Sequence, residues 1–363
     1  MKRFYFLAAI ALTTAFTACD KDDDNEPKPV PEPPVTRAYI LNSGNWGMND
    51  ASITLFDKNS HTATDYDVYQ AANGEGLGDV AQDMIAYGSK LYCTVTESSK
   101  LVVMDKDLKQ IKAIPFFDNG VPTQPRCLAA DGGFVYTTTY DGCITKVDTA
   151  TLEIMDKVAV GDHPEGLSFA NGKLYANISG YGTYGDFKSG SVAVVDAKTF
   201  KKIKDIKVNC NPYTQSKVGA DGNVYMVSTG NYAGSPGMAQ EDWVLGTVFQ
   251  INTKTDTAKE INYGTYIALY ENYLYVLYSE YYLPQLSHAF VYDLNTGMKT
   301  DWIDLEKLAA PNSIDVDPYT GLIYVSDTPW GSYGKVHVFD HSGKELYSFD
   351  AGYYTCKIVF DRL

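Results

Sequence analysis

The sequence is short of cations, histidine and cysteine, and each shortage removes a class of function. Thirty Lys and Arg stand against 45 Asp and Glu in 363 residues, a formal net charge of −15. No basic patch is available to neutralise phosphates, so nucleic acid is excluded as a partner. Five His and six Cys leave little material for a multi-metal centre or a disulfide framework. HExxH, CxxC, P-loop and GxSxG motifs are all missing. Gly74-Glu75-Gly76-Leu77-Gly78 lacks the strand-to-helix context of a dinucleotide site and reads as a loop. After the first twenty residues no apolar run is long enough to span a bilayer.

What is abundant is aromatic: 29 Tyr, 15 Phe and 4 Trp, within a chain that is 45% hydrophobic. That composition supports a large packed core and excludes a disordered or fibrous protein.

The chain opens with Met1-Lys2-Arg3 and a mostly apolar run from Phe4 to Phe16, a secretory signal too short for a transmembrane helix. The run ends in Phe16-Thr17-Ala18-Cys19, which resembles a bacterial lipobox. The resemblance implies cleavage before Cys19, its acylation, and a lipid anchor worth about 0.8 kcal/mol per buried CH2. Residues 1–18 are therefore expected to be a signal peptide. Residues 19–36 are expected to carry the lipidated Cys, an acidic patch (Asp20 to Glu26) and a proline-rich tether (Pro27 to Pro34). The acidic run directly behind the Cys resembles the export signal of surface lipoproteins in gut Bacteroidota and implies an outer-membrane, cell-surface location. Residues 20–35 hold six acids and two lysines, so most of the negative charge belongs to the body that follows.

That body repeats. Tyr39, Tyr92, Tyr136, Tyr175, Tyr225, Tyr275 and Tyr324 each sit inside a short β-type run, and a later strand of each unit ends on Asp57, Asp105, Asp148, Asp196, Asn252, Asp293 or Asp340. Both series count seven, at a spacing of about 47 residues, the length of a four-stranded propeller blade. One unit shows the meander: Gly166 to Ala170, an Asn171-Gly172 turn, Lys173 to Ile178, a long loop, Ser191 to Asp196, a tight turn, then Lys202 to Val208. The fold expected over residues 37–363 is an all-β, seven-bladed β-propeller. Since the chain starts on a second strand (Arg37 to Leu41), the strand from Cys356 to Phe360 is expected to complete the first blade and close the ring.

In such a meander, the loops joining second to third strands and those joining blades share one face. Here that face is aromatic. It carries Asn45 and Trp46, Phe117, Tyr181 and Tyr184, Tyr232 and Trp243, Tyr281, Trp330 and Tyr354. The opposite turns, such as Asp105-Lys106-Asp107 and Asp340-His341-Ser342-Gly343, are short and polar. Flat rings beside Asn, Asp and Gly on anchored loops mark a ligand surface, and these ten residues are its candidates.

The other motifs read as structure. His163 before Pro164 lies at a blade junction, and Asp315-Val316-Asp317-Pro318 is a strand running into a turn before it is a calcium loop. Neither a catalytic nor a metal site is expected. Five cysteines remain after Cys19, an odd number that forbids complete internal pairing but leaves one pair open; most are expected to be buried thiols.

The Val160-Gly161-Asp162-His163-Pro164 junction, the Leu-Tyr strands and the strands ending in Val-Asp resemble the YncE-like and cytochrome-cd1-like seven-bladed propellers. These short motifs span Arg37 to Leu363 and speak to fold more than to ligand. Together with the lipobox at Cys19, the acidic patch and the aromatic face, they resemble the BtuG-type surface lipoproteins. That resemblance implies a non-enzymatic protein with no cofactor of its own. It would capture cobalamin (vitamin B12) and other corrinoids on the loop face and deliver them to a TonB-dependent outer-membrane transporter. Two other readings compete. One is a surface glycan-binding protein of a polysaccharide-uptake system, with Trp46, Trp243 and Trp330 stacking on sugars; the other is an unorthodox lactonase or lyase.

Overall fold

A computed structural model describes residues 36–180, 190–329 and 331–360. Seven four-stranded antiparallel sheets account for nearly all of its regular structure. Blades II to VII are consecutive meanders; blade IV runs Pro164–Ala170, Lys173–Ile178, Gly190–Asp196 and Lys201–Val208. Blade I is composite. Its strands are Thr355–Phe360, Arg37–Asn42, Ser52–Asp57 and the two-residue Thr62–Ala63, with Ala38 opposite Phe360 and Tyr39 opposite Val359. The first strand of every blade packs against that of the next, and the cycle returns from blade VII through the C-terminal strand to blade II. The ring is closed, as the sequence predicts.

Seven hydrophobic clusters fill the seven interfaces between blades. The tyrosine of the repeat occupies the same place in each. All seven are buried to within 3% exposure: the ring body fills the interface, and in several blades the hydroxyl reaches a turn. Tyr39 Oη donates to the Lys106 carbonyl of the neighbouring blade (2.7 Å), and Tyr175 Oη donates to Asp256 of the blade after its own (2.7 Å). Tyr275 Oη pairs with His341 Nδ1 across the next interface.

The second series of the repeat closes the turns between third and fourth strands. Asp57 accepts from the backbone N–H groups of Asn59 and Ser60, Asp148 from Ala150 and Thr151, and Asn252 from Lys254 and Thr255. Asp105, Asp196, Asp293 and Asp340 do the same. These backbone donors hold the Asp57, Asp148 and Asp293 carboxyls below their ordinary range. The Asn171-Gly172 turn has positive φ at both residues (50° and 74°), the geometry of a type I′ hairpin.

None of the five described cysteines is joined in a disulfide, so the one pair left open by the sequence is not formed. Asp317 is fully buried, accepts from Tyr319 N and Thr320 Oγ1 and pairs with Lys58, which makes it a turn residue as expected. No helix among the described residues is long and apolar enough to cross a membrane. The lipobox at Cys19, the acidic patch and the tether lie outside the described residues.

Candidate functional site

The two faces differ as their sequences predict. On one, the seven Asp or Asn caps tie the turns down. On the other, the connections carry exposed rings. Trp46 is 78% exposed at the tip of the blade I loop, held from below where Asp50 accepts from both Asn45 N (2.6 Å) and Asn45 Nδ2 (2.8 Å). Asn45 therefore positions the loop through its backbone and side-chain N–H groups, while its backbone carbonyl accepts from Met48 N (3.0 Å).

Phe117 is 52% exposed on a two-residue hairpin, Phe117–Asp118 with Val121–Pro122, between blades II and III. Tyr232 is about half exposed with a left-handed backbone (φ 57°). Tyr281 is 82% exposed and stands edge-on to Tyr282, with ring centroids 4.8 Å apart. Trp243 is only half-buried, yet its indole N–H is enclosed and meets no acceptor among the described residues. The half-buried Tyr354 accepts from Gly331 N through its hydroxyl (2.9 Å), tying blade I to the blade VII loop. Tyr181, Tyr184 and Trp330 lie outside the described residues. Trp46, Phe117 and Tyr281 come from loops of three different blades and share no ring contact, so the face is a broad, multi-point surface.

Below this face the first strands enclose an axial cavity of about 90 Å3. Four charges from four blades face it: Asp83, Lys217, Asp315 and Lys357. Asp315 Oδ1 lies 3.0 Å from Lys217 Nζ and 3.4 Å from Lys357 Nζ, and its Oδ2 accepts from Ile358 N. Burial pushes the Asp315 carboxyl up, but the two ammonium groups outweigh it and hold it low. Burial pushes the Asp83 carboxyl up despite its bonds from Leu128 N and Met84 N. Cys127 and Cys356 also face the cavity. Burial raises both thiols, that of Cys356 to about 12, so neither is a nucleophile near neutral pH.

Nearer the loop face, Arg126 and Glu165 form a fully enclosed ion pair (Nε to Oε2, 2.9 Å). Tyr140 Oη donates to the other carboxylate oxygen at 2.6 Å, and the Arg126 guanidinium lies 4.7 Å from the Tyr140 ring centre. His163 packs against the same ring with Nδ1 buried, the structural role its sequence context predicts. Among the described residues no group of His, Cys, Asp and Glu could hold a metal ion.

A wide groove lies between blades VII and I, with a volume of about 850 Å3. Sequence reasoning passed over Tyr66 and Gln70, which help to line it. The available signal was Asp67 ahead of Val68–Asn73 and Gly74, the start and stop of a one-and-a-half-turn helix: Asp67 accepts from Tyr69 N, and Gly74 takes φ 73°.

A closed seven-bladed ring with one capped face and one aromatic face defines this protein as a β-propeller. The chain belongs to the family described as a domain of unknown function, DUF5074, whose model matches residues 37–360. No curated protein is a significant sequence match. Among solved structures it is similar to the Kuenenia stuttgartiensis hydrazine synthase, at 16% identity and a TM-score of 0.53 over 70% of this chain and 74% of that one. It is also similar to the streptogramin B lyase structure (11%, 0.53, covering 76% and 83%) and to the U3-55K structure (10%, 0.51, covering 75% and 81%). At such identities the likeness is one of fold.

Proposed function

We propose that this protein is a non-catalytic capture protein for corrinoids, cobalamin among them. In this reading it is anchored by acylated Cys19 at the outer-membrane surface and passes its ligand to a TonB-dependent transporter. The observation that carries the reading is the asymmetry between the faces: Trp46, Phe117, Tyr232 and Tyr281 stand half to four-fifths exposed on one, and none of the capped turns opposite presents such a cluster. Exposed rings on several separated loops suit a ligand that is broad and flat, and polar loop groups between them suit its peripheral amides. The buried thiols and the neutralised axial charges favour binding over catalysis.

Spectroscopic titration of the purified protein with cyanocobalamin and with cobinamide tests this. Both should bind, with little change in the cobalt-sensitive bands, because His163 is turned against Tyr140. Trp46→Ala and Tyr281→Ala should each cost about 1–3 kcal/mol of affinity. Absence of binding at micromolar protein would end the corrinoid reading. Cys19→Ala should release the protein from the membrane fraction, and proteolysis of intact cells should remove the wild type; protection from added protease would refute surface exposure.

A further inference from the structure

The groove between blades VII and I exists because blade I is incomplete. Its fourth strand is Thr62–Ala63, which covers only Phe56 and Asp57 of the third strand. The chain then leaves the sheet, and side chains replace the missing ladder: Ile53 N donates to Asp67 Oδ1 (3.1 Å) and Leu55 N to Thr64 Oγ1 (3.0 Å). With those donors occupied, the third strand offers no edge for an added peptide strand. The space left between it and the outer strands of blade VII is the groove. Its volume of about 850 Å3 falls within the range of roughly 300–1,000 Å3 typical of small-molecule sites.

The lining selects a ligand class. Four carboxylates (Asp50, Asp65, Asp67, Asp350) and one lysine (Lys335) exclude an anion. Three of those carboxylates are already engaged, Asp50 by Asn45, Asp67 by Ile53 N and Tyr69 N, and Asp350 by Lys335 at 2.6 Å, so the groove is not a cation trap either. Tyr66 (57% exposed) and Tyr333 (69% exposed) offer flat apolar surfaces, the latter stiffened by stacking on Tyr353 at 4.3 Å. On the third strand, Ser52 Oγ and the buried Thr54 Oγ1 accept from Asn42 Nδ2 and donate to nothing among the described residues, which leaves two O–H donors for an occupant. Flat ring faces, O–H donors and carboxylate acceptors together match a neutral ring compound with one apolar face and a rim of hydroxyls.

We infer that this groove is a carbohydrate site taking a short neutral oligosaccharide, separate from the loop-face site and independent of the corrinoid reading. The test is calorimetric titration of the full-length protein with neutral gluco-, manno- and xylo-oligosaccharides, with tetramethylammonium and phosphorylated sugars as contrasts. At least one neutral oligosaccharide should bind saturably. Tyr66→Ala and Tyr333→Ala should each weaken it about tenfold, and both together should abolish it. Both side chains are more than half exposed, so the variants should melt with the wild type. No neutral oligosaccharide binding at millimolar concentration, binding indifferent to both substitutions, or a preference for the ammonium or phosphorylated probes would overturn the inference. Cyanocobalamin titrated into the same variants separates the two sites: unchanged affinity supports a distinct groove, and lost affinity makes the groove part of the corrinoid surface and refutes the separation.

Discussion

Asp315 is where three blades meet, and replacing it with Asn isolates the charge that joins them. The residue lies on the first strand of blade VII; Lys217 belongs to blade V, and Lys357 and Ile358 to the strand that closes blade I. Asp315→Asn keeps the side-chain volume but leaves two ammonium groups facing an axial cavity with only Asp83 to offset them. Removing one member of a buried ion pair costs roughly 3–5 kcal/mol. The lysine side chains retain 24% and 23% exposure, which places the expected cost near the lower end, at about 3 kcal/mol. For a domain of roughly 325 residues gaining about 2.1 cal/mol/K of entropy per residue on unfolding, that is a fall in Tm of about 4 °C.

The pH dependence has a definite sign. The folded Asp315 carboxyl lies below its ordinary value of 3.8 because Lys217 and Lys357 overcome the effect of burial. Its contribution is therefore complete above about pH 4 and is lost as pH falls through the lower folded value. Calorimetric melts of wild type and variant at pH 7, 5 and 3 should show the full deficit at the first two and a smaller one at the third. Adding Lys217→Met should recover part of it, since a neutral apolar group leaves one cation fewer without a partner. A variant melting within 1 °C of wild type at pH 7, or a deficit that holds or grows toward pH 3, would refute the reasoning.

Removing residues 355–363 deletes the ladder from Ala38–Phe360 to Asn42–Thr355 and bares the edge of the Arg37–Asn42 strand; the product should melt many degrees lower, and a Tm within a degree or two of full length would contradict closure. Tyr175→Phe loses the hydrogen bond to Asp256 across an interface and should cost about 1.5–3 kcal/mol in urea unfolding; a midpoint equal to wild type would make the hydroxyl irrelevant. Glu165→Gln leaves the Arg126 guanidinium enclosed without its counter-ion and should destabilise by about 3–5 kcal/mol, read from the same unfolding curves. Trp46→Ala, at a side chain 78% exposed, should shift stability by no more than about 0.5 kcal/mol while weakening corrinoid binding, so a large fall in Tm would show that the ring is structural.

Those expectations separate what the sequence made legible from what it did not. The repeat was readable because its two markers answer local or periodic demands: a Tyr must fill each interface and an Asp or Asn must cap each turn, at the same point of every unit. Closure was readable because an open ring would leave two hydrophobic edges. The axial charges were not, because Asp83, Lys217, Asp315 and Lys357 come from four blades and look in sequence like ordinary alternating polar positions of a strand. Arg126 and Glu165, 39 residues apart, were invisible for the same reason. On the loop face the sequence located the rings but not their depth, so Trp46 and Trp243 looked equivalent although one is open and the other half enclosed.

The irregular blade carries the sharpest functional consequence. Six blades complete a fourth strand of three residues or more. Blade I stops at two residues, yet its third strand is no less satisfied, since Thr64 and Asp67 take over the backbone partners a longer strand would have supplied. A truncation that was merely a fault of the repeat would leave bare N–H groups or draw the blades together. Here the ladder is replaced and the gap is kept, lined by hydroxyls and tyrosine faces and bordered by the loop that carries Asn45 and Trp46. The departure from the repeat thus lies beside the loop that carries Trp46, where the sevenfold pattern of the scaffold is broken.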